Sequence, residues 1–201
     1  MKYLLAILLL LLAPCLGESF GSTSAEATVQ NTNDNDTRIA RFQMGATGGT
    51  TDSVRVKAAH GGETGDKLVV VIYEDDSDDP TTLLKQFTSD TITVVDAGLT
   101  NYVVDVSGDA YTLVADTWYW IGVHCAVIDT DVQLLESSSQ DPHRAAYDTG
   151  NENAPNPFDG TIYASGGSVE GIDIQIFYTT GGGSGGTIGG ETFGGVTLGG
   201  Q

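Results

Sequence analysis

Two cysteines, eight lysines and arginines against 27 acids, and three histidines in 201 residues are the scarcities that bound this chain. With the N-terminal leader removed (below), Cys125 stands alone, so no intrachain disulfide forms and packing alone must hold the fold. Cys125 sits in an apolar strand-like run and reads as a small buried hydrophobe, not a thiol nucleophile. The shortage of positive charge leaves a net charge of -19. Such a surface repels nucleic acid and anionic lipid headgroups, which excludes both as partners. It favours divalent cations, cationic partners, or plain solubility in salty water. His60, His124 and His143 make no His-x-x-x-His pattern, and no Cys-x-x-Cys is present. A Gly-x-Ser-x-Gly elbow and a phosphate-binding glycine loop are also missing. Among 27 acids no pair is singled out for glycoside hydrolysis. The expectation is a protein that is not an enzyme.

Long apolar runs are missing too. Tyr3–Leu12 is a Leu-rich stretch of about ten residues, whereas a membrane-spanning helix needs about 20. Behind Lys2 and ahead of Cys15 and Gly17, it has the layout of a secretory signal, with cleavage expected after Gly17. The mature chain is then expected outside the cell or on its surface, without membrane insertion. Leu12-Ala13-Pro14-Cys15 loosely follows a lipid-attachment box, but Pro14 stands where a small residue belongs. The alternative is lipidation, in which Cys15 would become the mature N-terminus and tether the domain to a membrane. Residues 18–37 are rich in Ser, Thr, Asn and Asp and read as a flexible lead-in. Within them Asn35-Asp36-Thr37 fits the N-glycosylation pattern.

Between residues 38 and 180 the pattern changes to that of strands. Ala40, Phe42 and Met44 alternate with polar or charged neighbours, as do Val54, Val56 and Ala58. Leu68–Tyr73 is unbroken and β-branched, as befits a strand covered on both faces. Further strands are expected at 91–95, 102–106, 118–128, 132–135 and 172–178, parted by Gly, Asp and Pro turns. Leu83 and Leu84 are expected to form one short helical turn. No dozen-residue segment shows a helical apolar face. The fold class is therefore all-β, an antiparallel sandwich.

Several segments carry a resemblance. Arg38–Met44, Ser53–Lys57, "KLVVVIYEDDSDDPTTLL" (Lys67–Leu84), "TWYWIGVHC" (Thr117–Cys125) and "PNPFDGTIYA" (Pro155–Ala164) follow one another in a suggestive order. Together they resemble jelly-roll-like β-sandwich domains that recur in bacterial extracellular proteins and phage structural proteins. The resemblance covers about Arg38 to Tyr178 and implies a jelly-roll-like fold. Such domains are similar in fold to carbohydrate-binding and adhesion modules. The acidic turn after the "VIY" strand departs from the Gly-rich version usual there.

Three groups of residues are candidate sites. Glu74, Asp75, Asp76, Asp78 and Asp79 form the densest carboxylate cluster, and Ca²⁺ is the one cofactor with a candidate place here. The spacing is not that of a dedicated calcium loop, so a solvated acidic turn competes with this reading; Asp129 and Asp131 are a weaker second pair. Trp118, Trp120 and His124 fall on one face of a strand beside Gly122 and Ala126. They read either as a sugar-stacking platform or as the second buried layer of a central strand. His143 beside Asp141 and Arg144 reads as a polar loop. In the Gly-rich tail, 181–201, Thr187-Ile188, Thr192-Phe193 and Thr197-Leu198 recur every five residues, each followed by Gly-Gly. Ile188, Phe193 and Leu198 are accordingly candidates for an assembly segment that adds a strand to a neighbour. The function expected is a secreted, non-catalytic binding or adhesion module for a glycan or surface polymer. The alternative is a structural subunit of an extracellular filament or surface layer, binding copies of itself through its termini.

Overall fold

Alternating sequences build strands here because each alternate side chain finds an apolar partner on the facing sheet. The computed structural model describes residues 18–22, 29–61, 65–127, 132–137, 145–163 and 171–180. They form fifteen strands: β1 (Glu18–Gly21), β2 (Val29–Thr32), β3 (Thr37–Gln43), β4 (Gly49–His60), β5 (Asp66–Asp76), β6 (Asp79–Gln86), β7 (Ile92–Val94), β8 (Thr100–Asp105), β9 (Thr112–Leu113), β10 (Trp118–Val127), β11 (Val132–Ser137), β12 (Ala145–Asp148), β13 (Thr161–Tyr163), β14 (Gly171–Ile172) and β15 (Ile174–Thr179). One 3-10 turn lies at Ser107–Asp109.

The strands make two antiparallel sheets. The first runs β1-β15-β4-β11-β14, with β2 on β11 and β8 and β9 on β4. The second runs β13-β12-β3-β10-β5-β6, with β7 on β5. Successive strands β3, β4 and β5 change sheet at each step, so the chain wraps one core rather than stacking hairpins. The all-β sandwich expected from the alternation is the fold observed.

Between the sheets, Phe42 of β3, Val54 and Val56 of β4, Leu68, Val70 and Ile72 of β5, and Ile121 and Val123 of β10 share one core with Ile174 and Ile176 of β15. Each such side chain contributes about 1.5–3 kcal/mol on burial. Cys125 is a fully buried member of that core, as its sequence context implied. Burial pushes its thiol well above the usual range, which leaves it unreactive.

The second sheet is covered on its other face as well. Ile39, Val71, Tyr73, Trp120, Ala146, Ala154 and Phe158 form a smaller apolar layer there. The segment before β13 supplies its roof. Phe158 meets the Tyr73 ring edge-on at 5.4 Å, and the Tyr73 hydroxyl donates to the Pro155 carbonyl at 2.9 Å. This double covering is why Leu68–Tyr73 needs no polar alternation.

Two local expectations change. The segment read as a flexible lead-in is partly built into the sandwich. β1 pairs with β15, Glu18 opposite Tyr178, and Phe20 enters the core against Tyr119 and Tyr178. One buried aromatic ring is enough to anchor a four-residue strand that otherwise has polar composition. The short helical turn expected at Leu83 and Leu84 is instead β6, because ladder pairing with β5 from Val71 to Asp76 satisfies its backbone. Residues 181–201, with the candidates Ile188, Phe193 and Leu198, lie outside the described residues, as do Asp129, Asp131, Asp141, His143 and Arg144.

Candidate functional site

The outer face of the second sheet brings two of the three candidate groups together. β10 places Trp118, Trp120, Gly122 and His124 on that face, between β3 and β5. Gly122 is required there: a Cβ at this position would fall 1.9 Å from the Arg38 carbonyl oxygen. The same closeness draws β3 tightly against β10 and carries Arg41 across toward Trp118.

Arg41 then organises the acidic hairpin. Its Nε donates to Asp75 Oδ1 at 2.6 Å and its Nη2 to Oδ2 at 2.8 Å. Nη2 also pairs with Asp78 Oδ1 at 2.6 Å. The Trp120 indole N–H donates to Asp75 Oδ1 at 2.8 Å, and the guanidinium lies 4.1 Å from the Trp118 ring centre. A planar cation with several donors matches a carboxylate and an aromatic face at once.

These contacts bear on the alternatives left open for both groups. Trp120 and His124 are 0% and 1% exposed, so neither offers a surface for a sugar ring. Trp118 is half-buried, with Arg41 stacked on its ring. The physical reason is the central position of β10 in a sheet covered on both sides. The carboxylates of the turn do not converge on a cation either. Ser77 and Asp78 take positive φ angles, 56° and 77°, as the centre of a tight two-residue hairpin requires. Asp75 turns inward to Arg41, the part-exposed Asp78 pairs with the same guanidinium, the Asp76 carboxylate accepts from the Ser77 hydroxyl, and Glu74 and Asp79 are exposed. Among the described residues no three His, Cys, Asp or Glu side chains are grouped to hold a metal ion.

At the other end of β10 lies a polar cluster the sequence did not announce. Asp36 is buried; its Oδ2 accepts from the Asn33 N–H at 2.8 Å and from the Tyr147 hydroxyl at 2.9 Å. Burial and this carboxylate push the Tyr147 pKa up to about 12. Thr37 Oγ1 and His124 Nδ1 share a hydrogen bond of 2.9 Å. Burial lowers the His124 pKa against the opposing pull of the Glu152 backbone, Asp34, Asp148 and Asp36. Arg38 stacks over Tyr147 at 4.2 Å and donates to the Asn31 carbonyl. Asn35, the glycosylation candidate, is part-buried at positive φ in this turn, and its carbonyl accepts from the Asn151 N–H. The one signal that could have found it is Arg38, a charge in a strand otherwise fit for burial.

Arg55 completes the set on the first sheet. It pairs with buried Asp173 at 2.6 Å and reaches Asn101 and the Ser22 carbonyl. All three described arginines are therefore committed to contacts within the fold, two of them with carboxylates.

No protein-family model matches the chain, and no curated protein or solved structure shows a significant likeness to it. Among the described residues no helix is long and apolar enough to cross a membrane.

Proposed function

We propose that this protein is an exported, non-catalytic building block of an extracellular filament or surface layer, associating with copies of itself through its terminal segments. The observation that carries this reading is the β1–β15 pairing. Glu18, the first residue expected after cleavage, faces Tyr178 across the ladder, so the mature N-terminus and the start of the Gly-rich tail lie at one corner of the sandwich. The body between them is double-layered, disulfide-free and strongly acidic, suited to presentation and not to turnover. Its described arginines are taken up by contacts within the fold, so association through charged faces is disfavoured and association through the tail, with its single charge, is favoured.

The test is the solution mass of the chain from Glu18 to Gln201, measured by light scattering from low salt to 1 M NaCl. Oligomers that grow with salt and vanish on deleting 181–201 support the reading. A monomer at every concentration and salt level sinks it.

The binding-module reading keeps one observation of its own. Trp118 remains partly exposed beside the hairpin, within reach of a glycan or surface polymer. Binding on a glycan array that is lost in Trp118→Ala, with the fold intact, would favour it.

A further inference from the structure

Sheet edges decide whether a β-sandwich stays single. Most of the described edges here are short or closed. β1 has four residues and β13 three. The edge of β6 is closed by the segment before β13: the Asn156 side chain accepts from the Leu83 N–H, and the Phe158 N–H donates to the Thr81 carbonyl at 2.9 Å. β8 differs. It has six residues, and among the described residues its only ladder is with β4, Ser53–Ala58. At its centre Val103 is 64% exposed, the most exposed large apolar residue described.

The main core is also least covered on this flank. Tyr102 and Val104 of β8, Leu84 of β6, and Tyr111 pack against it while remaining partly exposed. Lys85 of β6 pairs with Asp109, in the turn after β8, so the margins of both sheets meet here.

We propose that β8 is the acceptor edge for the Gly-rich tail of a second copy, which adds as a further strand and covers Val103. This rests on the assembly reading above and names its contact. Three features of the tail fit. Residues 181–201 carry one acid, Glu191, and no base, so two chains of net charge -19 approach there with least repulsion. Thr, Ile, Phe, Val and Leu supply strand-forming units, each bounded by Gly-Gly. A unit with its glycines is about the length of β8. The five-residue spacing would turn successive apolar side chains to opposite faces of one continuous strand. The tail therefore engages one unit at a time and offers alternates for the same edge.

The donor is a neighbour and not the chain's own tail. β15 and β8 flank β4 on opposite sides, both pairing with Val54 and Val56, so the tail leaves the sheet on the side away from the β8 edge and would have to double back to reach its own.

The test uses the chain from Glu18 to Gln201. The Val103→Lys variant, changed at an exposed position, is expected to keep its thermal midpoint and to lose at least tenfold in association. Mixing a Val103→Cys copy with a Phe193→Cys copy under mild oxidation is expected to give an intermolecular disulfide between the two. Oligomers that need the tail yet ignore Val103→Lys and give no mixed disulfide would overturn the β8 contact and leave the assembly reading standing. A monomeric internal disulfide in the Val103→Cys/Phe193→Cys double variant would overturn it by placing the tail on its own edge. A chain that never associates refutes both.

Discussion

Arg41 grips both carboxylate oxygens of Asp75, at 2.6 and 2.8 Å, across the outer face of the second sheet. Both side chains are about nine-tenths buried, and Trp118 and Trp120 close the pair from either side. The most acidic stretch of the sequence is thus fastened to the body by one of its few cations.

Removing Asp75 takes the bidentate partner from a buried guanidinium, which keeps only the part-exposed Asp78, and takes the acceptor from the Trp120 indole N–H. Asp75→Ala is expected to cost about 3 kcal/mol, read as a fall in the urea midpoint. Asp76→Ala, one residue along and exposed, is expected to change stability by less than about 0.5 kcal/mol. Equal effects would show that the Arg41 contact is not what matters in the turn.

The two tryptophans should separate. Trp120→Ala removes a fully buried ring and is expected to cost about 3–5 kcal/mol. Trp118→Ala loses a stacked cation and part-exposed area, about 1 kcal/mol. Thermal unfolding of both variants checks the order.

Gly122 tolerates no side chain. A Cβ would lie 1.9 Å from Arg38 O and 2.6 Å from Ile39 Cα, both backbone atoms. Backbone of two central strands has no room to yield, so Gly122→Ala is expected to destabilise by about 3 kcal/mol or more, measured by urea unfolding. Gly108→Ala, with open space around it, is the control and should behave like the parent chain.

His124 makes stability depend on pH. Its folded pKa lies below the ordinary value of 6.5, chiefly through burial. The unfolded chain therefore takes up the proton first. The contribution is complete above pH 6.5 and is lost as pH falls below it toward the folded pKa. The difference in unfolding free energy between the parent chain and His124→Asn should shrink between pH 7.5 and 5. A constant difference would place the effect elsewhere.

Calcium is expected to have no specific effect on the described body. The turn carboxylates are divided between Arg41, Ser77 and solvent. At matched ionic strength, millimolar Ca²⁺ should raise the thermal midpoint no more than Mg²⁺ does. A larger rise with Ca²⁺ would mean that the native state binds it.

The strands with apolar alternation were legible because a buried face imposes period two on its own residues. That signal locates β3 and β4, and short apolar or β-branched runs locate β5, β7, β8, β10, β11 and β15, within a few residues. It is absent where a strand is held by one ring, as Phe20 holds β1, or by neighbours' backbones, as in β6 and β12. The candidate site was legible only as a list. Trp118, Trp120 and His124 do share a face, as alternation required, and so lie where the sequence put them. Alternation cannot say whether that face meets water.

The sequence by itself determined an all-β chain, the face assignments along β10, the isolation of Cys125 and a surplus of acid. These follow from local rules of strand geometry and from counting. Tertiary structure alone decided that residues before β13 fold back over Tyr73 and Trp120, that Arg41 finds Asp75 34 positions away, and that β8, among the described residues, has a ladder with β4 alone. Each depends on which distant segment arrives beside another, and no local period encodes that.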